Sequence, residues 1–138
     1  MVIVGADCTG HGVPGAFMSM LGVTLLNEEL DVTSLLRPNE ILGRLRVKVK
    51  DMLAQEGNIK DQKDGIDMAF VLIDKEKQEL QFAGANHPLY LIRKKEHAGG
   101  EELDPYLSLE NSEYSLYELK GDKQPIGYIG RKQSLPIM

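Results

Sequence analysis

A chain of 138 residues and 15.4 kDa with a 42% hydrophobic fraction is most simply one globular domain, able to bury about two thirds of the surface its unfolded form exposes. A net charge of −5 and a pI near 5.2, with lysines scattered rather than clustered, exclude the basic footprint of a nucleic-acid partner. The lone cysteine, Cys8, excludes an internal disulfide framework and a multi-cysteine zinc site, and it suits a reducing cytoplasm.

No apolar run approaches the roughly 20 residues of a membrane span, and Met1 to Asp7 is too short and too uncharged at its start for a signal peptide. No membrane contact is expected of this segment. Val2, Ile3 and Val4 are consecutive β-branched residues bounded by Gly5, and they read as a strand buried on both faces. Asp7 lies just past the strand end. Gly10, Gly12 and Gly15 mark Cys8 to Val13 as a tight turn, and Pro14 fits the first turn of a helix, where its missing N–H is not needed. That helix puts Phe17, Leu21 and Leu25 on a packing face, with Met20 and Thr24 beside them and Asn27, Glu28 and Glu29 on the wet side.

A second helix runs from near Pro38 to about Gln55. Ile41, Leu42, Leu45, Val49, Met52 and Leu53 form its stripe, opposite Arg44, Arg46, Lys48, Lys50 and Asp51, which read as a solvated face. Gly57 and Asn58 are its stop signals. Ile59 to Gly65 reads as a surface loop and Met68 to Ile73 as a strand covered on both faces. Leu80 to Ala85 and Leu89 to Arg93 follow across short turns, which favours an antiparallel meander because no crossover helix fits between them.

Lys94 to Asp104 is a charged excursion. Leu107 to Lys120 holds one more alternating segment, with Tyr114, Leu116, Tyr117 and Leu119, and Gln124 to Gly127 closes the patterned part. The class is α+β, two helices on one face of a mostly antiparallel sheet. The chain begins inside an apolar run and ends without a closing element, so the expectation is a partial domain over residues 1–128 and an irregular tail over 129–138, a piece of something longer.

Three chemistries compete for the stretch from Gly5 to Ser19. A phosphate cradle would use the Gly5 and Gly10 spacing of a P-loop, but His11 and Gly12 occupy the places where Lys and Ser or Thr are required. A metal site would use the Asp7 carboxylate, with glycines that let a backbone carbonyl and waters approach a hard cation such as Mg²⁺ or Mn²⁺. A structural role would have Asp7 cap backbone N–H groups of the turn.

The stretch ADCTGHGVPGAFMSMLG resembles the aspartate and glycine signature of the SpoIIE-type (stage II sporulation E-like) serine/threonine phosphatases, a bacterial branch of the metal-dependent PP2C family. DGIDMAFVLIDKEKQELQFAGANHPLYLIR and GDKQPIG resemble the same family in the right order, so three blocks cover most of Met1 to Gly127. The resemblance implies a cytoplasmic phosphatase domain of the α-β-β-α sandwich type, here incomplete, with a pair of Mg²⁺ or Mn²⁺ ions between two sheets. It implies hydrolysis of phosphoserine or phosphothreonine in a phosphoprotein by a metal-activated water, within bacterial signal transduction and under a sensor or receiver domain of the parent protein. By the same likeness Asp7 matches the aspartate that bridges the metals, and the backbone carbonyl of Cys8 matches the neighbouring ligand. Two adjacent dications would stabilise the attacking and leaving oxygens and lower the pKa of bound water.

Family members also carry a Gly-Asp pair before this point and an Asp-Gly block after the Gln-Pro-Ile-Gly segment, and this chain has neither. One aspartate cannot compensate two hard dications. Asp64 and Asp67 read as loop and strand-edge residues. His11, with Gly10 and Gly12, is expected in the loop or on the substrate side rather than on the metal, since hard cations prefer oxygen. His87 reads as the rim of a tight turn, His97 as a loop residue, and Cys8 as a small turn residue without an activating base. The rival to a phosphatase is a catalytically incomplete fragment or non-catalytic binding remnant of the fold. A nucleotide-binding protein would require ATP to raise its melting temperature, which is not expected.

Overall fold

A computed structural model describes residues 1–32, 37–55, 65–97 and 100–127. Strand β1 (Val2–Cys8) leads through a turn into helices α1 (Gly12–Val32) and α2 (Pro38–Gln55), followed by strands β2 (Gly65–Asp74), β3 (Glu79–Ala85) and β4 (Leu89–Lys94). Two short 3₁₀ turns precede β5 (Leu107–Glu110), β6 (Tyr114–Leu119) and β7 (Ile126–Gly127). One sheet has the order β1-β2-β3, with β7 also on β2, and a second has the order β4-β6-β5.

The β1–β2 ladder is antiparallel, from Val2 opposite Leu72 to Cys8 opposite Ile66. Ile73 donates its N–H to Met1 O at 2.8 Å and Thr9 donates its N–H to Gly65 O at 3.0 Å, one bond at each end. Antiparallel pairs alternate between hydrogen-bonded and non-bonded, so the odd residues of β1 bond to β2. Val2, Val4, Ala6 and Cys8 turn their N–H and C=O groups to the other side, where β1 has no strand partner among the described residues.

Side chains alternate in the same way. Val2, Val4 and Cys8 pack toward the helices with Ile66, Met68 and Phe70 of β2, and Ile41, Leu42, Leu45 and Val49 of α2 close that core from above. Burying one such side chain contributes about 1.5–3 kcal/mol. Ile3, Gly5 and Asp7 face the other way and are exposed. The expectation that β1 is buried on both faces therefore fails, whereas β2 is covered on both, with Val71 buried and Ala69 and Ile73 half-buried.

The stripe on α2 stands over Ile41, Leu42, Leu45 and Val49, although Met52 near its end is exposed. On α1 the packing face differs from the expected one: Gly15, Met18, Gly22, Leu25 and Glu29 are buried, and Phe17 and Met20 are exposed. Apolar residues surround α1, so their spacing selects no single face. Close approach selects it instead, because a Cβ on Gly22 would stand 2.7 Å from Ile66 Cδ1.

The meander also fails beyond β3. Strands β2 and β3 form the expected hairpin, but β4 leaves for the second sheet and pairs with β6. Asn86, with φ of 60° in the left-handed region, turns the chain away. The segment Leu107 to Lys120 contains two strands rather than one, with a register shift between Leu107 and Leu109. The stop signals Gly57 and Asn58, the loop up to Asp64 and the tail over 129–138 lie outside the described residues.

Glu29, expected on the wet side of α1, is only 5% exposed. It accepts from Arg44 Nε at 2.6 Å and faces Lys48 Nζ at 2.9 Å, so part of the charged face of α2 ties the two helices together rather than merely being solvated. Burial alone would raise the Glu29 pKa, but hydrogen bonds and charge from Arg44 and Lys48 hold it below its ordinary 4.5. A lowered carboxylate pKa contributes stability above the ordinary value, and that contribution is lost as pH falls through the folded-state value. Because both cations are partly solvated, we expect Glu29→Gln to lower the unfolding free energy by about 1–2 kcal/mol at neutral pH. In urea titrations the difference from the unsubstituted chain should shrink below about pH 4. A difference that persisted unchanged in acid would contradict the ion-pair origin.

Candidate functional site

Asp7 sits one residue before the end of β1, on the face turned away from the helices, and its register partner is Asp67 of β2. The parity of the ladder makes this a hydrogen-bonded pair, with Cα atoms about 5.5 Å apart and both side chains on one face. Two carboxylates directly opposite each other oppose folding.

Asp67 Oδ1 accepts a hydrogen bond of 2.7 Å from Asn86 Nδ2. Asn86 is held in turn by its backbone: its N–H donates to Asp122 O at 2.7 Å, and Asp122 N–H donates to Gly84 O at 2.8 Å. Gly84 and Gly121 allow this approach. A Cβ on Gly84 would stand 2.2 Å from His87 O and 2.9 Å from Gly121 Cα, and one on Gly121 would stand 2.5 Å from His87 O. The segments around Asp7, Asp67, Asn86 and Gly121-Asp122 thus form one connected region, although they span most of the chain.

Beyond Asp7 the turn is pinned at Thr9, whose hydroxyl accepts from Gly65 N–H at 2.8 Å. Gly10 has φ of 95° and Gly12 of 67°, a region where side chains are strained. The turn lies against the start of α1, where a Cβ on Gly15 would come within 2.8 Å of Gly10 O. Asp7, Cys8, Gly10, His11 and Gly12 line one cleft of about 490 Å³ together with Ser19 of α1 and Ile66 of β2. Ser19 is already satisfied, donating its hydroxyl to Gly15 O at 2.9 Å.

The residues singled out around Asp7 in the sequence are therefore neighbours in space. His87 is half-buried at the Gly84–Gly121 contact, His97 lies in an exposed 3₁₀ turn, and Asp64 is outside the described residues. Asp67 is the residue that the sequence reading misplaced: it is not at a strand edge but inside β2, facing Asp7. Its signal was a charged residue between Ile66 and Met68 in an otherwise apolar strand, on the opposite parity from the core positions. Asn86 had no comparable signal, since an asparagine in a turn is ordinary.

The oxygens near the turn that could meet a cation are the Asp7 carboxylate and, at the open edge of β1, the carbonyl of Cys8, with the Asp67 carboxylate across the ladder on the β2 side of Asp7. That chemistry fits a hard divalent cation that retains several waters. No group of three or more His, Cys, Asp or Glu close enough to hold an ion occurs among the described residues, so the set fits one ion in part and is too small for two. The glycine contact behind the site gives a direct check. Gly84→Ala and Gly121→Ala should each destabilise the chain by about 3 kcal/mol or more, since backbone cannot yield as a side chain can. Gly100→Ala, with nothing within 4 Å of its Cβ, should stay within about 0.5 kcal/mol by chemical denaturation.

No helix among the described residues is long and apolar enough to cross a membrane. The family model of stage II sporulation protein E (SpoIIE) matches residues 1–123. The chain is also similar to a solved structure, the SiaA-PP2C domain of Pseudomonas aeruginosa, at 28% identity and a TM-score of 0.65. That likeness covers 91% of this chain and 41% of the solved one, so the chain spans about two fifths of its relative's length. No curated protein sequence matches. With the three ordered blocks, the two-helix and antiparallel-sheet architecture and a match over most of its length, the chain belongs to the SpoIIE family and has the α+β fold of a partial PP2C domain.

Proposed function

We propose that this chain carries part of the catalytic centre of a metal-dependent protein serine/threonine phosphatase, with Asp7 and the Cys8 carbonyl as metal ligands and Asp67 beside them. The observation that supports this most is the placement of Asp7 directly opposite Asp67 on the face away from the helices. When bound, Mn²⁺ or Mg²⁺ would supply an activated water and charge stabilisation for phosphoryl transfer. The chain's own contribution is to bring two carboxylates together across the β1–β2 ladder and to offer, at the strand edge, a carbonyl with no strand partner among the described residues. Gly10, His11 and Gly12 form the wall of the cleft next to that carbonyl, which suits the approach of a phosphorylated side chain.

The parent protein would act in cytoplasmic bacterial signalling on a phosphoprotein substrate, under a sensor or receiver domain. A second reading, a non-catalytic remnant that keeps the fold, is favoured by one observation: only two carboxylates meet among the described residues. Mn²⁺-dependent hydrolysis of a phosphoserine peptide or p-nitrophenyl phosphate, by the domain extended at both ends, separates the readings. Asp7→Asn should lower the rate by about 100-fold or more, as expected when a metal loses a ligand; equal rates would remove Asp7 from the chemistry. Calorimetry of the 138-residue chain with Mn²⁺ should show weak binding of one ion, and tight binding of two would contradict the remnant reading.

A further inference from the structure

We infer that the outer face of the β4-β6-β5 sheet is a self-association surface, on which a second copy of this chain docks face to face about a two-fold axis. The inference is independent of the metal reading above. Register defines the face: Tyr90 lies opposite Glu118, Ile92 opposite Leu116 and Lys94 opposite Tyr114 across β4 and β6, and Leu109 of β5 lies opposite Leu116. Directly opposed residues share a face. Ile92 is 66% exposed and Leu109 67%, with Tyr90 and Tyr114 exposed beside them. The reverse face is covered, because Ser115 and Tyr117 are buried there, and Leu89, Leu91 and Leu119 line a cavity with Leu80 of the first sheet. The sheet is therefore apolar on both sides and, among the described residues, covered on one. A lone exposed leucine is ordinary, but a contiguous apolar face marks an interaction site.

Charge and geometry select a second copy as the occupant. Lys94 and Glu118 stand at opposite corners of the face, Lys94 at one end of β4 and Glu118 across from Tyr90 at the other. A two-fold axis lying in the interface, perpendicular to the line that joins them, exchanges these corners, so each Lys94 meets Glu118 of the other copy. Ile92 and Leu116 flank the axis and pack on their own counterparts, while Tyr114 comes over Leu109. The 3.6 Å contact of Lys94 with Glu96 is exposed and weak, and it leaves the ammonium available. The hand of the arrangement follows from the ladder. Lys95 donates its N–H to Glu113 O at 2.8 Å, so the odd residues of β4 bond to β6, and Tyr90 and Ile92 turn their Cα–H toward it. With L-residues this places β6 to the left of an upward β4 seen from outside. At about 3.4 Å per residue and about 4.8 Å between strands, the same axis crosses the strands of the two copies at about −40°. Stacked sheets prefer about −30°. The pairing of charges and the packing of twisted sheets thus call for nearly one orientation.

A face three strands wide is small, so the dimer should be weak, with a Kd on the order of 10–100 µM. Sedimentation equilibrium of the full chain from about 5 to 500 µM brackets that range. The average mass should rise with concentration from 15.4 kDa toward twice that value. Lys94→Glu and Glu118→Lys should each weaken association by about tenfold or more, and the double variant, in which the charges are exchanged, should restore it. Ile92→Thr keeps a β-branched residue in the strand and should weaken association as well. Melting midpoints within about 2 °C of the unsubstituted chain are expected for all four, because their side chains lie on an uncovered face. A chain that stays monomeric over the whole range would overturn the inference. So would a dimer that the single charge reversals leave unchanged, or one that the double variant fails to recover. A mass that climbs past two copies would also contradict it, since a two-fold interface closes on itself.

Discussion

The register of the β1–β2 ladder is the constraint on which the rest depends. Because strand side chains alternate with a period of two, a slip of β1 by one residue along β2 would turn Asp7 toward the helices, away from Asp67, and push Val4 and Cys8 outward. The hydrophobic face thus enforces the position of the acidic pair. Phe70, Met68 and Ile66 can be buried under α1 and α2 only when Asp67 faces the other way. Packing energy on one side of the sheet holds a like-charged pair together on the other, and no interaction within the pair itself is needed.

The same ladder leaves the backbone of Cys8 without a strand partner on the outer side of β1 among the described residues. The helices are held over the inner face by the apolar stripe of α2 and by Glu29 between Arg44 and Lys48. The close approach of α1 at Gly15 and Gly22 then keeps the glycine turn against its helix. Behind Asp67, the Asn86 turn is braced by the segment around Gly121. Each support arrives from a different part of the chain, which is why three blocks far apart in sequence belong to one site.

Much of this was legible in the sequence where periodicity is strong. Helix α2, the β2–β3 hairpin and the strand-turn-helix around Asp7 follow from stripe, turn residues and glycine spacing. The face of α1 was not legible, because a helix with apolar residues all round has no direction until a partner approaches its glycines. Nor was the departure of β4, since a short turn permits a meander and only the left-handed Asn86 and the Gly84–Gly121 contact redirect it. The place of Asp7 near a strand end was legible, but its pairing with Asp67 depends on register, a property of two strands that neither displays alone.

Under the proposed function, the two opposed carboxylates of Asp7 and Asp67 would meet a hard dication. Anomalous diffraction at the manganese edge from crystals of the chain soaked in Mn²⁺ tests it most directly. A peak within about 2.0–2.6 Å of carboxylate oxygens from both Asp7 and Asp67 is the predicted result. A manganese ion bound elsewhere, with this pair left bare, would contradict the account.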